Sequence, residues 1–148
     1  MKNQKYWEQS AKESNEAFMP LVETLGLQNV KFHTENQYHP FDVEFMYKGK
    51  QCICEIKKVK ENYGYGRIET EGYYLEKKKI DAMLDCDAEK RLFVFLNSTE
   101  AIFIDVDTVN IEEYVVKSWP ANSGPRKDEM VLKKVYAHPF EKSLKIFK

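Results

Sequence analysis

A chain of 148 residues that is 43% apolar and 14% aromatic suits one packed domain, which argues against a disordered chain. No apolar run approaches the roughly 20 residues that span a bilayer, and the amino-terminal stretch is polar rather than signal-like. A cytoplasmic protein with no membrane partner is therefore the expectation. The net charge of −1 hides a segregation: nine Lys/Arg face five acids over 48–79, two face nine over 80–116, and eight face three over 117–148.

In chain order, residues 5–25 read as a helix, because Trp7, Ala11, Phe18, Leu21, Val22 and Leu25 recur at helical spacing and Gly26 supplies a stop. Pro20 lacks a backbone donor, which predicts a kink or a break there. Val30–His33 is a short strand candidate, and 34–40 is a polar loop closed by Pro40. Two further strands, Phe41–Tyr47 and Gln51–Val59, meet through Lys48-Gly49. Residues 60–72 carry three glycines and read as a loop. Tyr73–Leu84 has a helical stripe through Tyr73, Lys77, Ile80 and Leu84. The apolar runs 91–97 and Ala101–Val106 are strands. Ile111–Lys117 fits helix or strand equally, 119–128 is a loop, and Met130–Ala137 and Leu144–Phe147 are late strands. This order is best buried as an α/β fold with a mixed central sheet flanked by helices.

The three cysteines form no CxxC pair, and His33, His39 and His138 lack zinc-ligand spacing. The hairpin is more informative. If Lys48-Gly49 is a two-residue turn, Tyr47 faces Lys50, Phe45 faces Cys52, Val43 faces Cys54, and Asp42 faces Glu55. Lys57 lies two residues beyond Glu55 and shares its face. One surface then gathers Asp42, Glu55 and Lys57, while Val43, Phe45, Cys52, Cys54 and Ile56 form a core. Opposed carboxylates repel across a sheet, so a counter-charge is expected. Mg²⁺ takes one or two carboxylates with waters and phosphate, and a nearby ammonium can orient a water or steady phosphate charge. The alternative is a cross-strand ion pair on a solvated face.

With Pro40-Phe41-Asp42 followed by Glu55-Ile56-Lys57, the sequence resembles the PD-(D/E)XK nuclease superfamily, which includes restriction endonucleases and Holliday-junction resolvases. One residue is inserted between the proline and the acid. The expected element order, αβββαβ, resembles the family core over about residues 5–106 of a single domain spanning 1–148, with 107–148 a β-rich extension. The resemblance implies a Mg²⁺-dependent deoxyribonuclease, with Mn²⁺ as a substitute. Asp42, Glu55 and the backbone carbonyl of Ile56 would be metal ligands, and Lys57 the catalytic lysine. A glutamate of the first helix would be a further ligand, at Glu16 or else Glu13 or Glu23.

Nucleic-acid contacts would come from Tyr73, Tyr74, Lys77, Lys78 and Lys79, with Lys58 beside the site. Tyr63, Tyr65 and Arg67 would belong to a substrate flap. The resemblance also implies a homodimer. The competing expectation is a non-cleaving module of the same fold, either a nucleic-acid-binding subunit or an inhibitor of another protein.

Overall fold

The structure, a computed structural model, describes residues 2–34, 39–58, 73–96, 100–120, 130–139 and 144–147. It opens with α1 (Lys2–Leu25), followed by β1 (Gln28–Phe32), β2 (Val43–Tyr47) and β3 (Lys50–Lys58). Then come β4 (Tyr73–Glu76), α2 (Lys77–Leu84), β5 (Lys90–Leu96), β6 (Glu100–Asp105) and a short 3-10 turn at Val106–Thr108. The last strands are β7 (Val115–Pro120), β8 (Met130–His138) and β9 (Leu144–Phe147). The class is α/β, as expected.

Six strands form a mixed sheet in the order β1-β2-β3-β5-β6-β9. Only β3 and β5 run parallel, as a strand–helix–strand crossover requires, and the other neighbours are antiparallel. Each face of the sheet is apolar and covered. On one side, Phe18 and Leu21 of α1 pack on Val43, Phe45, Cys52, Cys54, Ile56 and Val94. On the other, Ile80 and Met83 of α2 pack on Ile53, Phe93, Phe95 and Ile104, together with Leu75 and Tyr136. Both β3 and β5 are central and buried on two faces, which explains their continuous apolar runs.

Pro20 neither ends nor splits α1, which continues to Leu25. Pro20 is exposed, so the helix carbonyl it leaves unbonded can be met by water. The helix ends at Gly26, whose φ of +65° allows the Leu27 amide to reach back to the Val22 carbonyl at 2.9 Å.

Tyr73–Glu76 corrects the sequence expectation. It is a strand rather than the first turn of a helix, and it pairs with β8 in a second, three-stranded sheet, β4-β8-β7. Ile111–Lys117 resolves as strand only from Val115. The carboxy-terminal residues are shared between the sheets, since β7 and β8 build the second one and β9 lines the edge of the first. Among the described residues, no helix is long and apolar enough to cross a membrane.

Candidate active site

The β2–β3 hairpin has the register that a two-residue turn dictates. Tyr47 pairs with Lys50, Met46 with Gln51, Phe45 with Cys52, Glu44 with Ile53 and Val43 with Cys54. Lys48 and Gly49 both have positive φ, 51° and 79°, as a type I′ turn demands. Lysine tolerates that conformation less well than asparagine or glycine, yet the alternation of buried and exposed side chains still holds the pairing in place.

Asp42 lies just beyond the last rung, and its backbone is fixed on both sides. Its amide donates to the Cys54 carbonyl at 3.0 Å, and its carbonyl accepts from the His33 amide at 2.9 Å. The strap leading into it is held by aromatic packing. His33 and His39 stack with ring centroids 3.8 Å apart, and Phe41 meets both rings edge-on at 4.9 and 4.4 Å. His33 Nε2 also lies 3.3 Å from Glu44 Oε1. The Asp42 carboxylate is anchored too, since its Oδ2 accepts from the Ile56 amide at 2.7 Å. Amide and carbonyl of one strand residue point to the same side, so the Ile56 carbonyl also turns toward Asp42, past the end of β2.

Glu55 is buried, with 7% of its surface exposed. Burial raises its carboxyl well above the ordinary carboxylate range, and the Asp42 charge and a hydrogen bond to Asp42 add to the rise; Lys79 works against it. Glu55 is therefore reluctant to carry its charge beside Asp42. Lys57, on the same face, is exposed over much of its length. Partial desolvation of its ammonium lowers its pKa, and the charges of Lys79 and Lys133 lower it further.

Three neighbours were not assigned here by sequence. Lys79 Nζ lies 3.8 Å from Glu55 Oε1. Burial alone would depress this lysine, but the carboxylates of Glu55, Glu76 and Asp42 outweigh it and raise its pKa. Glu76 immediately precedes α2, and its Oε2 lies 3.6 Å from Lys133 Nζ on β8. Lys79 was readable as a cation beside the tyrosines, but its proximity to Glu55 depends on how α2 packs. Lys133 carried no signal at all.

The remaining sequence-nominated residues are dispersed. Glu16 is exposed and lines an open groove with Lys12, Asn15, Phe32 and Thr34, outside the Asp42–Glu55 pair. Glu13 accepts from Gln9 at 3.0 Å, and Glu23 is exposed. Lys77 is engaged internally, 2.5 Å from Asp81 and over the rings of Tyr114 and Tyr136. Tyr74 lies under Lys117, while Lys58 and Lys78 are exposed. The side chain of Tyr73, and Tyr63, Tyr65 and Arg67 entirely, lie outside the described residues.

Among the described residues no three acid, histidine or cysteine side chains converge as a metal cage. What the site offers is two adjacent carboxylates and a nearby carbonyl, all hard oxygen donors. That set suits Mg²⁺, which keeps several of its waters. In comparisons with known proteins, no family model, no curated protein and no solved structure matches this chain.

Proposed function

We propose that this chain is a metal-dependent nuclease of the PD-(D/E)XK type, hydrolysing phosphodiester bonds with DNA as the favoured substrate. One observation carries the reading: Asp42 and the buried Glu55 hold their carboxyl groups against each other, with Lys57 one step further on the same face. Like charges set so close call for a cation, and hard oxygen donors select a divalent one. The order α1, β1, β2, β3, α2, β5 agrees with the family order, with β4 as an insertion before the second helix.

In this reading Asp42, Glu55 and the Ile56 carbonyl would hold Mg²⁺. When bound, the ion would supply a Lewis acid for the phosphate and a water of lowered pKa. The Ile56 amide keeps the Asp42 carboxylate oriented before substrate arrives. Lys57, whose pKa is lowered by partial burial and by the charges of Lys79 and Lys133, would orient the attacking water or neutralise charge on the phosphate.

The test is incubation with end-labelled single-stranded, duplex and branched DNA plus Mg²⁺ or Mn²⁺. Cleavage by the unaltered protein should be lost in Glu55→Ala and Lys57→Ala. Cleavage that survives both substitutions rules out this site.

The contact between Lys79 and Glu55 favours a second reading, in which an ammonium takes the place of the ion and the fold binds without cutting. Nucleic-acid binding with no metal-dependent cleavage in any substrate would select it.

A further inference from the structure

The second sheet has one face committed to the core, through Leu75 and the buried Tyr136. Strand alternation places a different set on the opposite face. Lys133, Val135 and Ala137 of β8 share it with Tyr74 and Glu76 of β4, through the pairs Tyr74–Ala137 and Glu76–Val135; Val135 itself is fully buried, so the accessible part of this face is the side chains around it. Val115 and Lys117 of β7 join them through Val115–Val135 and Lys117–Lys133. Two lysines thus stand directly opposite each other, an arrangement sheets disfavour unless something anionic is near. Lys133 has Glu76 at 3.6 Å, whereas Lys117 Nζ sits 4.7 Å over the ring of Tyr74.

These lysines continue the site rather than lie apart from it. Glu76 leads directly into α2, whose first turn puts Lys79 beside Glu55. Lys79 at Glu55, Lys133 at Glu76 and Lys117 opposite Lys133 therefore set three cations in succession from the buried acid. Lys79 exposes 46% of its side chain and Lys133 36%. Beyond Glu76, the described strand residues on this face carry no acid.

We infer that this face of β4-β8-β7 is a track for the phosphodiester backbone of a nucleic-acid strand whose scissile segment lies over Asp42 and Glu55. The inference rests on the nuclease reading for its direction, and on these three lysines for its partner. Lysine ammoniums meet phosphates as point charges and read no base, so binding here is independent of sequence. A protein partner fits less well, because lysine is depleted in the centres of protein interfaces.

Binding and cleavage separate the two proposals. Fluorescent single-stranded and duplex oligonucleotides are titrated with the full chain in EDTA between about 50 and 200 mM salt, and anisotropy is read. Lys117→Gln with Lys133→Gln should lower the steepness of log affinity against log salt by about 1.8 on duplex or about 1.4 on single strands, for two lost phosphate contacts. Affinity should fall roughly ten-fold or more, while Lys48→Gln, in the hairpin turn, leaves it unchanged. An unchanged slope and affinity in the double variant, or no nucleic-acid binding by the unaltered protein, overturns the track. If Glu55→Gln abolishes cleavage while the lysine variant binds normally, the active-site reading survives and the track does not. If the lysine variant loses binding but nothing is cleaved, the face is a nucleic-acid surface and the nuclease reading is what fails.

Discussion

The Asp42 carboxylate accepts a hydrogen bond from the backbone amide of Ile56 at 2.7 Å, just past the last rung of the β2–β3 hairpin. One oxygen of an acid that faces another acid is thereby tied to the neighbouring strand. The bond aims the side chain and sets how far it can retreat from Glu55.

That bond can be isolated with two variants that both remove the Asp42 charge. Asp42→Asn keeps an acceptor for the Ile56 amide, whereas Asp42→Ala leaves the amide unmet. Asp42→Asn should be the more stable by about 1–3 kcal/mol in urea unfolding without divalent metal. Equal stabilities would mean that the bond does not hold the loop.

Glu55 gives a pH signature. Its folded pKa is raised above the usual 4.5 by burial and by Asp42, so the native state holds the proton more tightly than the unfolded chain. The resulting stabilisation is complete below about 4.5 and is lost as pH rises toward the folded pKa. Metal-free protein should therefore melt at progressively lower temperature, relative to Glu55→Gln, as pH rises from about 4.5 to neutrality. Adding Mg²⁺ at neutral pH should restore stability to the wild type and not to the variant. Parallel melting curves for the two proteins across that range would contradict the assignment.

Tyr136 ties the second sheet to α2, because its hydroxyl donates to Asp81 Oδ1 at 2.6 Å, and Asp81 also holds Lys77. Asp81 is partly exposed, which limits the energy of the link. A double-mutant cycle of Tyr136→Phe and Asp81→Ala should give a coupling of about 1 kcal/mol. A coupling near zero would show that the two elements are joined by apolar packing alone.

The turn makes a prediction of opposite sign. Lys48→Asn should stabilise the protein by about 0.5–1 kcal/mol, because asparagine accepts positive φ more readily. Gly49→Ala should destabilise it by about 1 kcal/mol through backbone strain, since a β-carbon there meets no neighbour within 4 Å. Chemical denaturation of both variants checks the pair.

The hairpin register was legible in sequence because everything that sets it is local. A two-residue turn and the alternation of Val43, Phe45, Cys52 and Cys54 leave one pairing that buries the apolar face. Tyr73–Glu76 was misread for the opposite reason. Its spacing from Lys77 and Ile80 imitates a helical stripe, while its partners, residues 135–138 of β8, lie about sixty positions away and give no local signal. The adjacent tyrosines, which favour strands, were the available hint. The same long separation hid Lys133 and Glu76, whose proximity to Glu55 and Lys57 exists only once the second sheet is in place. For Pro20 packing outweighed the expected break, since Phe18 and Leu21 are fully buried against the sheet on either side of it in sequence.

The parallel pairing of β3 with β5 has a kinetic corollary. The β2–β3 hairpin closes through two residues, whereas β3 can meet β5 only after the chain between Lys58 and Lys90 has folded back, and β8 joins later still in sequence. Loop-closure entropy orders these events, with the local ribbon ahead of the distant strands. Asp42 and Glu55 are thus brought face to face early, before Lys79 or Lys133 can reach them. During that interval Lys57 of the same strand is the nearest cation to them, and protons or ions from solution can relieve the rest of their repulsion, so the refolding rate should depend on pH and on divalent salt.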